Sequence, residues 1–578
     1  MYPVSRDRQA KFRPGWDFRD FITLLVMLVV ILGIVRTASK FGGSYNSDLQ
    51  ILTNVRVLPS YTAQTLLRMV SAYLVSLGFT LVYAYTAYRS RIAALILIPL
   101  LDILQSIPVL SFLPGVVLAL IGLFPGQRIG LELASVLLIF TGMTWNMTFS
   151  FYQSLQSIPR ELKEAANIYR LNTWQRFWQL ELPSGAIGLV WNSVMSVAGG
   201  WFFLMAIESF TLKKQDFRLP GLGSYLKAAA DKGDFGAIGW GLLVLISVII
   251  AIDFLVWRPL IAWAEKFKME TTESQNAPDS SVLDFIRRSP TIRALITSVW
   301  LPMQNFLDRR IARAFPSNPQ SLLRPRRSPM IKWLNRIFLG GFLLIVCFGI
   351  WEMLILIRVL GWSDWQQVIT GAVFSALRVI TAMVLSLLWT VPVGVAIGRN
   401  PRLSQLLQPI IQVVASVPAT ALFPVLLIGL ASAGGGLQVG SVLLMMLGTM
   451  WYLLFNVIAG AQSIPSELFE AAKVYKLNRL QRWQTLILPG IFPYLITGLI
   501  TAVGGAWNAS IVSEYIQFQG QTITTVGLGA TISQATDSGN FPLLLAATSV
   551  MSLLVVLTNR LIWRPLYRLA NEKYRLLI

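Results

Sequence analysis

The sequence predicts an all-α polytopic membrane protein: two tandem six-helix domains in parallel orientation, with about 12 transmembrane helices. Three observations predict it. Hydrophobic residues make up 55% of the 578, charged residues only 13%, and mean hydropathy is +0.61, which is not the composition of a soluble globular chain. Apolar runs long enough to cross hydrocarbon recur along the whole sequence. A polar stretch of 28 residues, between two such runs, occurs twice.

Taken in order, the first apolar run is Phe21 to Val35, behind Arg6, Arg8, Lys11, Arg13 and Arg19. No small-residue cleavage site follows it, so it reads as an uncleaved first span rather than a signal peptide. Further spans are expected near Leu66 to Tyr85, Ala94 to Ile121 (broken by Pro108 and Pro114), Val136 to Tyr152, Ile187 to Ile207 and Gly239 to Trp257. Residues 1–265 thus form the first domain. Residues 266–336 turn polar and basic and read as a cytoplasmic linker, within which Val282 to Phe315 has the spacing of an amphipathic surface helix. The second domain, 337–578, repeats the pattern near Phe338 to Leu356, Leu377 to Ile397, Leu406 to Leu430, Val442 to Ile458, Ile491 to Ile511 and Leu543 to Trp563.

The duplication is explicit. Gln156 to Pro183 aligns without a gap with Gln462 to Pro489 at an offset of 306, with 17 of 28 positions identical. The same offset pairs Trp201 with Trp507, Glu208 with Glu514, Gly221-Leu-Gly223 with Gly527-Leu-Gly529, and Trp257-Arg-Pro-Leu260 with Trp563-Arg-Pro-Leu566. Upstream it becomes 310, pairing Leu67-Arg68 with Leu377-Arg378 and Ser106-Ile-Pro108 with Ser416-Val-Pro418. Even span counts behind basic segments give both halves one orientation, with N- and C-termini cytoplasmic.

The residue inventory excludes several function classes. With no histidine and one cysteine, Cys347, the chain has no Ser-His-Asp triad, no His-ligated metal and no intramolecular disulfide. The net charge of +21 falls in loops between apolar runs, as the positive-inside rule requires, so nucleic acid is not an expected partner.

The repeated polar stretch carries too much charge to lie in hydrocarbon. Pro159 and Pro465 suit a first helical turn, where Glu161 and Glu467 complement the helix dipole. Arg170 and Lys476 fall at that helix's end. Asn172 with Gln175, and Asn478 with Gln481, have capping-box spacing for a second helix expected to stop at Leu182-Pro183 and Leu488-Pro489. Two such knobs on one face suit a two-fold symmetric partner.

Here the sequence resembles a known family. Glu164-Ala-Ala166 through Pro183, and Glu470-Ala-Ala472 through Pro489, are similar to the EAA loop of permease subunits of bacterial binding-protein-dependent ABC importers. Leu377-Arg378, Leu422-Phe-Pro424, and Trp507 ahead of Glu514 and Gly527-Leu-Gly529 resemble the nitrate, sulfonate, taurine and bicarbonate branch. The family pattern has glycine where this chain has Arg170 and Lys476, so Asn172 and Asn478 are expected to take over part of the left-handed turn.

The resemblance implies a small-solute permease, with an anion as the expected cargo, in a prokaryotic plasma membrane. It would dock two ABC ATPase subunits through Glu161, Glu164, Ala165, Ala166, Arg170, Asn172 and Glu467, Glu470, Ala471, Ala472, Lys476, Asn478. An extracytoplasmic binding protein would deliver the solute. No Gly-x-x-x-x-Gly-Lys-Ser/Thr occurs, so no cofactor is expected on this chain and ATP is bound by the partner subunits. The alternative is a twelve-helix ion-coupled secondary transporter, although few ionisable residues interrupt the spans. Polar span residues give the candidate pathway: Ser106, Asn146, Asn192, Glu208, Ser416, Thr420, Asn508 and Glu514, for which helix–helix hydrogen bonding is the plainer role. The loop Thr211 to Phe235 is basic through Lys213, Lys214, Arg218, Lys227 and Lys232, as an anion-attracting mouth would be.

Overall fold

In a computed structural model, residues 51–212, 215–267, 281–288, 347–423, 436–518 and 521–573 are described, with isolated positions between 297 and 344 and at 426. The expected span at Phe21 to Val35 and most of the linker lie outside them. The described part is helical apart from two small hairpins. The first half comprises α1 (Leu58–Arg89), α2 (Arg91–Ser106), α3 (Val109–Leu123), α4 (Arg128–Gln156), α5 (Arg160–Ile168), α6 (Thr173–Arg176) and α7 (Leu182–Glu208). The hairpin β1 (Thr211–Leu212) and β2 (Gln215–Asp216) follows, then α8 (Leu222–Asp231), α9 (Phe235–Ile252) and α10 (Arg258–Ala264). After α11 (Ser281–Arg288) and a short apolar helix, Cys347–Ile357, the second half gives α12 (Trp362–Arg399), α13 (Pro401–Ser416), α14 (Leu437–Gln462), α15 (Ser466–Val474), α16 (Arg479–Arg482) and α17 (Leu488–Ser513). It ends with β3 (Tyr515–Phe518), β4 (Gln521–Thr524), α18 (Leu528–Ser538), α19 (Phe541–Thr558) and α20 (Arg564–Lys573).

Eight of the described helices are long and apolar enough to cross a membrane. The expected single span Ala94 to Ile121 is instead two helices. The chain turns at Ile107-Pro108, both extended, because proline disfavours helical geometry in the residue before it. The Ser111 hydroxyl, in the first turn of α3, donates back to Pro108 O at 2.6 Å. The same break follows α13 at Val417-Pro418.

Among the described residues, four complete π turns, Phe177–Glu181, Asp253–Trp257, Trp483–Ile487 and Asn559–Trp563, interrupt the long helices. Each lies two residues before a proline: Pro183, Pro259, Pro489 and Pro565. Proline lacks the N–H for the i→i−4 bond and crowds that carbonyl, so the turn widens and the preceding N–H reaches back five residues. The helix that begins at Thr173 therefore does not stop at Leu182-Pro183 as its sequence suggested. It runs through the π turn as one span to Glu208, and its counterpart runs from Arg479 to Ser513.

Within each half the first long helix packs along the next, and that one along the third: α1 on α4 on α7, and α12 on α14 on α17. One apolar core crosses between the halves, joining Leu113, Val117, Trp201 and Leu204 to Ala502, Val503, Ala506 and Trp507. α3 packs on α17, α2 on α19, and α13 on both α7 and α9. Each hairpin also touches the short helix of the other half, β1 against α18 and β3 against α8. The C-terminal ends of α7 and α17 thus meet at one end of the molecule.

That end is held by buried charge. Arg68, fully enclosed in α1, donates through Nε and Nη2 to Glu132 at 2.6 and 2.8 Å, and through Nη1 to Glu208 at 2.7 Å and Pro220 O at 2.9 Å. Thr65 Oγ1 donates to Glu208 at 2.8 Å, and the backbone N–H groups of Leu222 and Gly223 donate to Thr65 Oγ1 and Glu208 Oε2 at 2.9 and 2.8 Å. The second half repeats the design with Arg378, Ser375 and Glu514: Nη1 to Oε1 at 3.0 Å, Ser375 Oγ to the carboxylate at 2.7 Å, Leu528 N–H to Ser375 and Gly529 N–H to Glu514, both at 2.8 Å. The glycines of the repeated Gly-Leu-Gly now have a reason, because a Cβ on Gly221 or Gly527 would overlap the carboxylate.

A buried charge deprived of its partner is strongly destabilising. Arg68→Met should cost about 3–5 kcal/mol, read as a lower unfolding temperature in detergent. Arg378→Met should cost less, since Arg378 pairs one carboxylate and is slightly exposed, whereas the fully enclosed Arg68 pairs two, of which only Glu132 keeps a second arginine, Arg128.

Candidate functional site

The repeated loops fold as two matching knobs. α5 and α15 each end in a Schellman motif: Leu171 N–H reaches Ala166 O and Arg170 N–H reaches Asn167 O, both at 3.0 Å, and Leu477 and Lys476 do the same to Ala472 and Lys473 at 3.0 and 2.9 Å. Arg170 and Lys476 themselves occupy the left-handed region, at φ 51° and 52°. The expectation that Asn172 and Asn478 would relieve this turn is corrected. Both are extended N-caps at φ −70° and −71°, in complete capping boxes with Gln175 and Gln481.

The knobs also fix which predicted residues face out. Ala166 and Ala472 are buried, and Ala165 and Ala471 are half-buried. Glu161, Glu164, Glu467 and Glu470 are exposed. Missing from the sequence reading were Ile168-Tyr169 and Val474-Tyr475, whose side chains are 78–79% exposed at the tip of each knob. The readable signal was an aliphatic–tyrosine pair kept at the same place in both copies.

Each knob is tied to the end of its half's first long helix by a cation–π contact with the partners exchanged. Lys163 of α5 lies 5.6 Å from the Tyr88 ring of α1. In the second half the cation is Arg399 of α12 and the ring is Phe469 of α15. The first knob adds an ion pair, Arg176 Nε to the buried Glu181 at 3.1 Å, where the second has Ile487.

Among the described residues, three sizeable cavities and one small pocket lie between the halves. The outer one, about 240 Å³, is lined by Leu113, Phe210, Lys227, Thr420, Tyr515 and Asp537 among others. Two adjoining inner cavities of about 110 and 160 Å³ share Gly142, Asn146, Phe203, Tyr452, Gly505 and Asn508.

Of the candidate pathway residues, Asn146 and Asn508 line both inner cavities, and Thr420 lines the outer one with a buried, unpartnered hydroxyl. Ser416 borders a small pocket beside Asp253 and Gln412, its hydroxyl returned to Gln412 O at 2.8 Å. Asn192 ties α7 to α4 by donating to Ser150 Oγ at 2.8 Å. The side chain of Ser106 lies outside those described. Glu208 and Glu514 are corrected: both are wholly enclosed in the arginine clamps, where every carboxylate oxygen is occupied. The basic outer loop is also partly neutralised, as Arg218 and Lys227 both approach Asp231, at 3.8 and 2.8 Å; Lys213 and Lys214 are outside the described residues.

A side chain in the left-handed region costs about 1 kcal/mol that glycine avoids. Arg170→Gly and Lys476→Gly should each leave the knob intact and slow amide hydrogen exchange at Leu171 or Leu477 severalfold.

The family model for binding-protein-dependent transport system inner membrane components matches residues 65–257 and 390–562. Among curated proteins, the chain is 29% identical over 185 residues to a nitrate import permease protein of Leptolyngbya laminosa, covering 32% of this chain and 63% of that protein. It is 27% identical over 183 residues to the taurine transport system permease protein of Escherichia coli, with the same coverage. It is 28% identical over 139 residues to a bicarbonate transport system permease protein of Synechocystis, covering 24% and 48%. The chain thus spans about half to two thirds of the length of the relatives it matches. With more than half of its residues inside two matches to one family model, each containing a knob and a long-helix core, the chain belongs to the inner-membrane components of binding-protein-dependent transport systems.

Proposed function

We propose that this chain alone forms the translocation pathway of an ABC importer for a small anion. The two knobs face the cytoplasm and dock two ATPase subunits, which bind and hydrolyse ATP. The end carrying α8 and α18 faces outward and receives solute from a binding protein. The N- and C-terminal segments are cytoplasmic in this arrangement, and the two halves run parallel.

The observation that carries this reading is the duplicated knob. Each presents a capped helix pair with an aliphatic residue and a tyrosine at its tip, and a largely exposed Tyr on a polar surface is the composition of an interface anchor. The contacts of each hairpin with the other half's short helix support the parallel arrangement. Relatives named for nitrate, taurine and bicarbonate transport support a cargo bearing an oxyanion. The twelve-helix ion-coupled carrier is less well supported, because the buried carboxylates Glu132, Glu181, Glu208, Asp253 and Glu514 each sit against an arginine.

Tyr169→Asp and Tyr475→Asp test the docking assignment. Each should weaken copurification of the ATPase and lower coupled ATP hydrolysis by about tenfold or more, and the pair should abolish both, with thermal stability unchanged. A double variant that still binds its ATPase and imports normally refutes the reading, as does ATP turnover by the isolated chain.

A further inference from the structure

Among the contacts between the halves are two helix seams related by the repeat. In one, α13 of the second half packs on α9 of the first; in the other, α2 of the first half packs on α19 of the second. The first seam joins an amide to a carboxylate. Gln412 Nε2, on α13, donates to Asp253 Oδ1 at 2.9 Å, and Arg258 Nε donates to Asp253 Oδ2 at 3.0 Å. Asp253 is 8% exposed, and Val194, Val197, Ile249, Ile252 and Trp257 line the same small pocket. Each carboxylate oxygen thus has a donor, as a buried charge in apolar surroundings requires.

The repeat carries these three positions to the second seam. At the offset of 306 Asp253 corresponds to Asn559 and Arg258 to Arg564; at 310 Gln412 corresponds to Asp102. The side chain of Asp102 lies outside those described, so at this seam the comparison is of sequence positions. Acid and amide have exchanged sites: α9 carries Asp253 where α19 carries Asn559, and α13 carries Gln412 where α2 carries Asp102. Both acids therefore belong to the first half, and both amides to the second.

That distribution separates right from wrong partners. The halves are copies of one unit, so the nearest competitor of a second half is another first half. Pairing unlike halves gives each seam one carboxylate, one amide and the arginine that follows the π turn. Two first halves would set Asp102 against Asp253, two carboxylates beside one arginine among apolar side chains. Two second halves would set Asn559 against Gln412 and leave that arginine no carboxylate. Like charges brought together at a buried contact reject a partner, just as complementary groups select one.

Resting on the reading that one chain forms the whole pathway, we propose that Asp253 with Gln412, and Asp102 with Asn559, form a pairing code. By it the seam surface of a first half fits a second half and excludes another first half. The partner it refuses is thus the first half of a second copy of this chain. Exchanging acid and amide lets two surfaces of common descent stay alike in shape while becoming complementary in charge.

Two measurements on the full chain test this. In detergent, Gln412→Asp sets a second carboxylate against Asp253 and should lower the unfolding temperature by several degrees, whereas Asp253→Asn should lower it only slightly. The double variant reproduces the residues of the other seam and should recover most of the loss; a double variant no more stable than Gln412→Asp alone overturns the proposal. For partner choice, two copies with different tags on their first halves are co-expressed, assembled, and then cut at a protease site placed in the linker, residues 266–336. Parent first halves should retain second halves and little of each other. Asp102→Gln with Asp253→Asn gives the first half the second half's residues, and recovery of one tagged first half with the other should then rise about tenfold. Unchanged recovery means that the tether alone selects the partner, and refutes the code. Failure of the single-chain reading is distinct, since the uncut parent would then contain two chains for each ATPase pair.

Discussion

The arginine clamp is the constraint on which the rest depends. A guanidinium with no exposure at all is tolerable only when its donors are met, and Arg68 meets them with two carboxylates and a backbone carbonyl. In each half the clamp joins the first long helix, the end of the third and the start of the short helix beyond the hairpin, and in the first half Glu132 adds the second long helix. It therefore sets where α8 and α18 begin, and so the shape of the outer cavity they line. The glycines at 221 and 527, the hydroxyls at 65 and 375 and the paired glutamates are consequences of that single placement.

Around this shared frame the halves have diverged in compensated pairs. The cation–π contact at each knob survives with its ring and cation exchanged between loop and span. The first clamp carries Glu132 and Arg128, while the second substitutes Thr525 Oγ1, which accepts from Arg378 Nη2 at 2.6 Å. Geometry is kept and chemistry is traded. Such exchanges are available to a fused chain, in which the two copies of a residue mutate independently.

Much of this was legible in the sequence, for identifiable reasons. Apolar length located most of the described spans, and capping chemistry located the start of each second knob helix to the residue, because Asn172 with Gln175 and Asn478 with Gln481 act through local backbone bonds. The pairing of Glu208 with Arg68 was not legible: the repeat marked both as equivalent to Glu514 and Arg378, but nothing local says that residues 140 apart meet. As carboxylates in apolar runs, Glu208 and Glu514 looked like pathway groups. The left-handed Arg170 was misjudged because intrinsic preference pointed to Asn172, whereas the Schellman bonds impose the turn on whichever residue stands at that position. The π turns were hidden for the opposite reason: Leu182-Pro183 signals a helix end, and in a packed span the helix absorbs the proline by widening.

Those four widened turns give the molecule stored rotation. A π turn holds one residue more than α geometry does, so drawing it out advances the helix beyond it by about 1.5 Å and swings it by about 100°. Two of the turns, Phe177–Glu181 and Trp483–Ile487, sit directly between a knob and the long helix that lines the inner cavities. A push on the knob is thus delivered to a torsional joint before it reaches a rigid rod. The same proline that spoils the hydrogen-bond ladder makes the joint, and its repetition at 489 gives the pair of rods matched pivots.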